Sequence, residues 1–361
     1  MMISPDTIPM AEIDLQIRPS KRFDIIDLTR FIDRDLHRSL ASYRKVLYCS
    51  HHTTAGFVDQ RMCNRFGHDR ETVEAYVRSH KALFPAGADY RHDQLDERLE
   101  LSEEQRCVEP RNGDSHLTFI SSGLRNCVTY EQHAEKPVYF VELDGVNEDR
   151  PRTRTTTIIG FDEEEDVLQT QIEVPVSSHR IDSVNLRNDG LGVYEQLNSL
   201  LAAYGVQKGR IDISLAADEE QAGLTVNEYE TLLMQHDLRD VLEGPMRFIA
   251  EKGKSMLKDP RNIPSRAKAY AKYDFVRVLH GLMNRLNLSE SYLERAIERM
   301  MAVPAKHFLS MKRDVSLLVS DRDIPGKGQI LNGRYQSPIL VQWGRKPEQH
   351  RTLDVRIIRF E

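Results

Sequence analysis

Five segments of the first half of this chain return in the same order in the second, and a repeat of this kind must fold as two versions of one plan. The segment RFDIIDL at 22–28 lines up with RIDSVNL at 180–186, and KVLYC at 45–49 with RIDISL at 210–215. Between them, a helical stripe of Leu28, Phe31, Ile32, Leu36 and Leu40 returns as Val193, Leu197, Leu200, Leu201 and Tyr204. Ala55-Gly56-Phe57 then faces Ala222-Gly223-Leu224, and RTRTTTIIGF at 152–161 runs against RTLDVRIIRF at 351–360. The expected fold class is therefore α+β, in two tandem, diverged copies of one small domain at 1–165 and 166–361. At 361 residues the chain is also too long for one typical core.

Within the first copy, Leu15 to Arg18 and Arg22 to Ile26 read as extended segments broken at Pro19-Ser20, as in a hairpin. Thr29 reads as the helix start that follows, and the strand KVLYC ends at His51-His52-Thr53-Thr54. The second copy adds a helical insertion at about 245–312, with an apolar stripe of Phe275, Val278, Leu279, Leu282 and Leu286. Ser291 with Glu294 forms a capping box for its next helix, which Pro304 ends. The expected role of this insertion is to bury its stripe on the sheet or a neighbour, with a ligand lid as the sharper alternative. The acidic run 162–166 reads as the linker between copies, because adjacent like charges prefer water.

Composition narrows the function classes. With 40% hydrophobic and 29% charged residues the chain can bury a core without a membrane. A formal net charge of -6 without a long basic run argues against a nucleic-acid binder and leaves small anionic ligands open. Cys49, Cys63, Cys107 and Cys127 have no zinc-knuckle spacing and read as reduced, packed thiols. The first residues have neither a basic start nor an apolar stretch, and no segment approaches the ~20 apolar residues of a membrane span, so the expected location is cytoplasmic.

Three clusters carry candidate chemistry. His51 and His52 end a strand beside Thr53 and Thr54, where a histidine acts as proton carrier or metal ligand, or is simply solvated. Asn112, Asp114 and His116 precede an apolar helical run; either Asp114 fixes the tautomer of a working histidine, or Asp114 or Ser115 caps the helix. A strand at 137–143, a turn at Asp144-Gly145 and a returning strand bring up Arg150, Arg152 and Arg154. The last two share a face in a strand and suit a phosphate or carboxylate; the alternative is an ion pair with Glu142 or Asp144. His68, His80, His92 and His133 could join His52 and His116 at a metal, although no spacing such as HExxH supports it.

At these residues the chain resembles the YjbQ family, whose members are described as secondary thiamine-phosphate synthases. His52-Thr53-Thr54-Ala55 fits the family's His-Thr-Thr-Ala stretch, and Asn112, Asp114, His116 and Leu117 fit its Asn/Asp-rich step into Ala-His-Leu. Glu142, Asp144, Gly145, Pro151, Arg152 and Arg154 fit its final Glu-x-Asp-Gly-Pro-Arg-x-Arg, interrupted by an insertion, and Tyr90-Arg91-His92 matches a further histidine. The second copy supplies complementary parts. Asn227 and Glu228 resemble the Asn-Glu pair, altered to Asp59-Gln60 in the first copy, and Gln336 stands in the glutamine position of the Gly-Leu-Leu-Gly-Trp-Gln stretch. Conversely, Glu220-Gln221 and Leu353 replace the threonine pair and the second arginine there.

The resemblance implies a β-sandwich-like pair of sheets with flanking helices in each copy, a homo-oligomer of trimer type and ligand sites near subunit contacts. It implies an enzyme acting on a phosphorylated or anionic small molecule, a transferase of the thiamine-phosphate synthase type. On that reading Arg152 and Arg154 hold phosphates, and His52 or His116 gives a proton to the leaving group. Asp114 or Glu142 orients that histidine, and Thr53, Thr54, Asn112, Asn227, Glu228 and Gln336 frame the ligand. A divalent ion such as Mg would offset diphosphate charge, and His52, His92 and His116 are the metal candidates. The rival expectation is a non-catalytic binding or scaffolding oligomer whose helical insertion engages a protein partner.

Overall fold

In the segment Gly209–Leu215 every second residue is buried, the period-two pattern of a strand lying on one core. By contrast, Arg154–Phe161 is buried almost throughout, so its sheet is covered on both faces. These two patterns recur through a computed structural model, which describes residues 10–32, 40–132, 136–147, 150–245, 247–249, 251–252 and 311–361. The first-half strands are β1 (Ala11–Ile17), β2 (Asp24–Asp27), β3 (Lys45–Ser50), β4 (Ala55–Phe57), β5 (Cys127–Glu131), β6 (Tyr139–Glu142), β7 (Val146–Asn147), β8 (Arg150–Pro151) and β9 (Arg154–Phe161). The second half holds β10 (Glu164–Pro175), β11 (Asp182–Asn185), β12 (Gly209–Leu215), β13 (Ala222–Asn227), β14 (Asp314–Ser320), β15 (Gln329–Leu331), β16 (Ser337–Gln342) and β17 (His350–Phe360).

The protein is α+β, with antiparallel sheets and helices between them. The larger sheets run in the order β1-β9-β3-β5 and β10-β17-β12-β14-β15, and the smaller ones in the order β2-β6-β4 and β11-β16-β13. Each half thus has a larger and a smaller sheet, with strands joined in the same order. The segments aligned in the sequence occupy matching places: 152–161 supplies β9 and 351–360 supplies β17, each between the first and third strands of its sheet.

Each half has its own apolar cluster. Ile25, Val46, Phe57, Phe119, Phe140 and Ile158 belong to the first, and Leu197, Leu201, Ile211, Ile213, Leu224 and Ile357 to the second. Two further clusters are shared. Leu47, Ile159 and Phe161 pack on Leu318, Ile358 and Phe360, with Phe161 and Phe360 stacked at 3.8 Å between ring centroids. Phe84, Tyr90, Leu117 and Ile120 pack on Leu233, Leu238, Phe248 and Ile339. At about 1.5–3 kcal/mol per large apolar side chain removed from water, these shared clusters hold the halves in one arrangement.

Several local expectations change. Residues 15–18 and 22–26 do not form a hairpin with each other: β1 pairs with β9 and β2 with β6. The first helix, Leu28–Phe31, is capped by Asp27, whose carboxylate accepts from the Thr29 N–H, so Thr29 lies within the first turn. The acidic run is no free linker, since Glu164 already pairs with Phe360 in β10 and Asp166 meets Arg356. Within the proposed insertion, 253–310 lies outside the described residues, and so do the stripe from Phe275 to Leu286, Ser291, Glu294, Pro304, Leu36 and His133. Among the described residues no helix is long and apolar enough to cross a membrane. Cys49, Cys63 and Cys127 are buried and Cys107 is exposed, all as free thiols.

Candidate functional site

The helix Gly113–Ser122 is buried along its whole length, and that position carries His116 to the junction of the halves. Its polar residues satisfy themselves locally, Thr118 and Ser122 bonding back to carbonyls one turn earlier and Ser115 to the Leu143 carbonyl. Asn112 stands at the cap position without a side-chain cap bond, so neither Asn112 nor Asp114 is spent on capping. Gly123 ends the helix in the left-handed region at φ 64°, which a Cβ would disfavour.

His116 meets His92 with ring centroids 4.9 Å apart, and its Nε2 lies 3.6 Å from Oε2 of Glu228, a second-half residue just beyond β13. Each imidazole is fixed from behind. Nδ1 of His116 donates to Oδ1 of Asn227 at 2.7 Å, and Asn227 in turn gives its amide to the Thr53 carbonyl at 3.0 Å. Nδ1 of His92 faces the Asp93 carboxylate at 3.1 Å, while both oxygens of Asp237 accept from the backbone N–H groups of Arg91 and His92. Nε2 of His116 is thereby left toward Glu228 and Nε2 of His92 toward Arg98, and one ligand atom from each of His92, His116 and Glu228 lies within 4.8 Å of the others. Burial, reinforced by the neighbouring His92, pushes His116 down to about 4. Burial also opposes a proton on His92, but the Asp93 bond and the charges of Asp93 and Glu228 outweigh it and raise its pKa. Arg98, buried itself, closes this centre with bonds to His92, Glu109 and Glu228.

A second polar group lies beyond Asn112. Asn112 Nδ2 and Arg152 Nη2 both reach Oδ2 of Asp144, at 2.9 and 2.7 Å, and Arg22 bonds Asp114 at 2.8 Å. Lys81 stands 4.0 Å from the other Asp114 oxygen. Burial raises the Asp114 pKa despite Arg22 and Lys81, and burial lowers that of Lys81. Five buried atoms here have no hydrogen-bond partner: Asn112 Oδ1, Asp114 Oδ2, Asp144 Oδ1, Arg22 Nε and Arg152 Nε. Buried polar atoms are normally satisfied, so their concentration at one spot is what a site for a polar ligand or water would show.

The third group is a wall. Arg154 forks onto both oxygens of Glu142, and its Nη2 also reaches Thr54 Oγ1 at 3.2 Å and the Asp144 carbonyl at 3.1 Å. His52 accepts the Thr155 N–H on Nε2 at 2.8 Å and has Arg154 Nη1 3.4 Å from Nδ1. Burial and the Arg154 charge push His52 down to about 3, which leaves it neutral at physiological pH. Gln336 comes from the second half and donates to the carbonyls of Ser50 and His52 at 2.9 and 2.8 Å. Beside it, a Cβ on Gly333 would lie 1.9 Å from the His51 carbonyl oxygen, so only glycine permits that approach.

The candidates therefore separate. His92 and His116 come together, but the third member is Glu228 in place of His52, whose ring nitrogens face the Thr155 N–H and Arg154. Arg152 precedes β9 and does not share a strand face with Arg154: Arg152 pairs with Asp144 and Arg154 with Glu142, the ion pairs that the sequence left as the alternative. His52 meets Thr155 and Arg154, His116 meets Asn227 and Glu228, Arg152 meets Asp144, and His80 packs on Tyr76. Arg22, Lys81, Asp93, Arg98 and Asp237 were missed in the sequence; adjacency of Asp93 to His92 was the one local signal. A cleft of about 1110 Å3 lies elsewhere, over the polar face of β10, β17, β12 and β14, lined by residues such as Arg125, Arg210 and Asp314.

No family model matches the chain, and a search of curated proteins finds no match. Solved structures do show similarity. A YbjQ-like protein of unknown function from Sulfolobus solfataricus matches over 55% of this chain and 99% of its own at 16% identity and a TM-score of 0.29. An uncharacterized YjbQ/UPF0047-family protein from Clostridium acetobutylicum matches over 52% and 98% at 10% identity and a TM-score of 0.26. A conserved hypothetical protein from Thermus thermophilus gives 52% and 98% at 17% identity and a TM-score of 0.24.

Proposed function

We propose that the chain is an enzyme acting on a phosphorylated or otherwise anionic small molecule, with a divalent cation held by His92, His116 and Glu228 where its halves meet. One observation carries this reading: two buried imidazoles, each oriented through Nδ1 by Asp93 or Asn227, and the half-buried Glu228 carboxylate bring one ligand atom each within 4.8 Å of the others. Metal-bound histidines are characteristically fixed in this way by an acceptor behind the ring. Two imidazoles and a carboxylate favour a borderline ion such as zinc over magnesium, which prefers an all-oxygen shell. Such an ion would supply Lewis-acid polarisation of a phosphoryl or carbonyl oxygen.

The chain's own groups supply the rest. Arg152, Arg22 and Lys81 stand where an anion would be met, around atoms of Asn112, Asp114 and Asp144 that lack a hydrogen-bond partner. His52, Thr54, Glu142, Arg154 and Gln336 keep the wall rigid rather than touching the reacting atoms. The halves read as tandem YjbQ-like copies, 1–165 and 166–361, which the recurrence of strand order supports. The histidines then come from the first copy and Asn227 and Glu228 from the second. The resemblance in sequence names the first reaction to assay: displacement of diphosphate from a pyrimidine methylene carbon by a thiazole nitrogen.

Zinc titration followed by calorimetry tests the centre. His92→Ala, His116→Ala and Glu228→Gln should each weaken binding by at least roughly 100-fold, and Asp93→Asn or Asn227→Ala by about 10- to 100-fold. A wild-type chain that takes up no divalent ion, with turnover untouched by the histidine variants, would refute the proposal. That outcome would favour a fixed binding scaffold, a reading supported by the way His52, Arg154 and Gln336 bond within the protein itself.

A further inference from the structure

Arg98 reaches the centre from a surface segment. Its side chain is 2% exposed, whereas the next residue, Leu99, is 89% exposed and Val108 on the same segment 74%. The guanidinium meets Glu100 at 2.7 Å, Glu109 at 3.3 Å, Glu228 Oε1 at 3.1 Å and His92 Nε2 at 3.4 Å. Arg106 holds the Arg98 carbonyl at 3.1 Å, and Ser102 with Gln105 forms a capping box that starts the short helix Glu103–Val108. Arg98 is thus the one buried residue of the segment 94–109, which otherwise shows two exposed apolar side chains to solvent.

Two of the partners of Arg98, His92 Nε2 and Glu228, are donors of the cation centre proposed above. A guanidinium stays charged at any physiological pH, so it and a divalent ion would compete for the Nε2 lone pair of His92 and for the Glu228 carboxylate, and would repel each other at such close quarters. Without either, Glu228 and Glu109 would face each other as like charges, and the mutual influence of these two carboxylates already raises the Glu109 pKa after burial has done so. The centre therefore calls for a cation at all times.

We infer that Arg98 is a displaceable plug that sets the affinity of the His92–His116–Glu228 centre, so that ion uptake and release of the segment 94–109 are one coupled event. The inference rests on the metal reading of that centre. When an ion enters, Arg98 swings out with its segment, and Nε2 of His92 and the Glu228 carboxylate pass from guanidinium to ion.

The test uses the full chain with zinc alone. Arg98→Gln should bind zinc roughly 10- to 100-fold more tightly than wild type, the usual range of coupling between two linked events. Arg98→Lys keeps the charge and should stay near wild type, which separates the plug from mere loss of packing. In wild type, zinc should speed tryptic cleavage after Arg98 relative to cleavage elsewhere in the chain. Equal zinc affinity in all three proteins, with cleavage unchanged, overturns the plug and leaves the metal reading intact. Zinc binding by none of them overturns both.

Discussion

Arg154 distinguishes a structural clamp from a ligand-binding group, and Arg154→Met tests the difference. Its side chain is 5% exposed and Glu142 is fully buried, with both oxygens held by the fork. Removing one partner of such a pair strands the other, at about 3–5 kcal/mol. At about 2–4 °C per kcal/mol for a domain of this size, the first thermal transition should fall by roughly 6–20 °C at pH 7.

The pH dependence sharpens this. Burial already raises the Glu142 pKa, with Arg154 the largest opposing influence. Loss of Arg154 would lift it further. A carboxyl whose folded pKa is raised stabilises the fold below its unfolded pKa and loses that contribution as pH rises through the folded value. The deficit of the variant should therefore narrow from pH 7 to pH 5. His52, freed of the Arg154 charge that lowers its pKa, acts in the same direction. Differential scanning calorimetry at both pH values, with Glu142→Gln/Arg154→Met as control for the carboxyl, measures it. A drop of a degree or two that is the same at pH 7 and pH 5 would refute the clamp and return Arg154 to the phosphate-binding role expected from the sequence.

Two further outcomes follow from the same junction. Gln336→Leu removes two donations and one acceptance, from the Gly333 N–H at 3.0 Å, and should cost about 1–3 kcal/mol in thermal unfolding; a change within 0.5 kcal/mol, about the scatter of ordinary surface substitutions, would contradict its bridging role. His116 and His52 are held neutral with pKa values pushed to about 4 and about 3, so the stability they provide is present above the unfolded pKa near 6.5 and is lost as pH falls toward those values. For buried His116 alone linkage gives about 2 kcal/mol lost by pH 5, offset in part by the raised pKa of His92; denaturation midpoints that stay level or rise between pH 7 and pH 5 would contradict it.

Several strands were legible because alternation is a local property of sequence, and comparison of the halves marked which segments would match. KVLYC, RIDISL and the two closing segments all became strands at matching places. The hairpin at Pro19-Ser20 was misread because local extension says nothing about partners, and β1 and β2 pair with strands more than a hundred residues away. The site was half legible. His92, His116, Asn227 and Glu228 were all singled out, yet grouping them needed the packing of two distant segments. His52 and Arg154 were given chemical work because proximity in sequence to threonines and to a turn cannot show that every lone pair is already taken. Arg98 lay in a stretch without periodicity, where its burial beside an exposed Leu99 left no trace in the pattern.

The place of β17 has a consequence for how the chain acquires its structure. It lies between β10 and β12, so β10 cannot join β12, β14 and β15 until residues 350–360 exist, and β10 waits about the length of the whole half for its partner. Contacts of such separation are slow to form, since the intervening chain must surrender its freedom before any pairing rewards it. Because Asn227 and Glu228 meet His116 from the second half, a first half emerging from the ribosome with all its own strands still lacks these partners. Its apolar face around Leu47, Ile159 and Phe161 stays bare over the same interval, until Leu318, Ile358 and Phe360 arrive to cover it. During synthesis this chain should therefore depend on chaperone shielding until residues 350–360 have emerged.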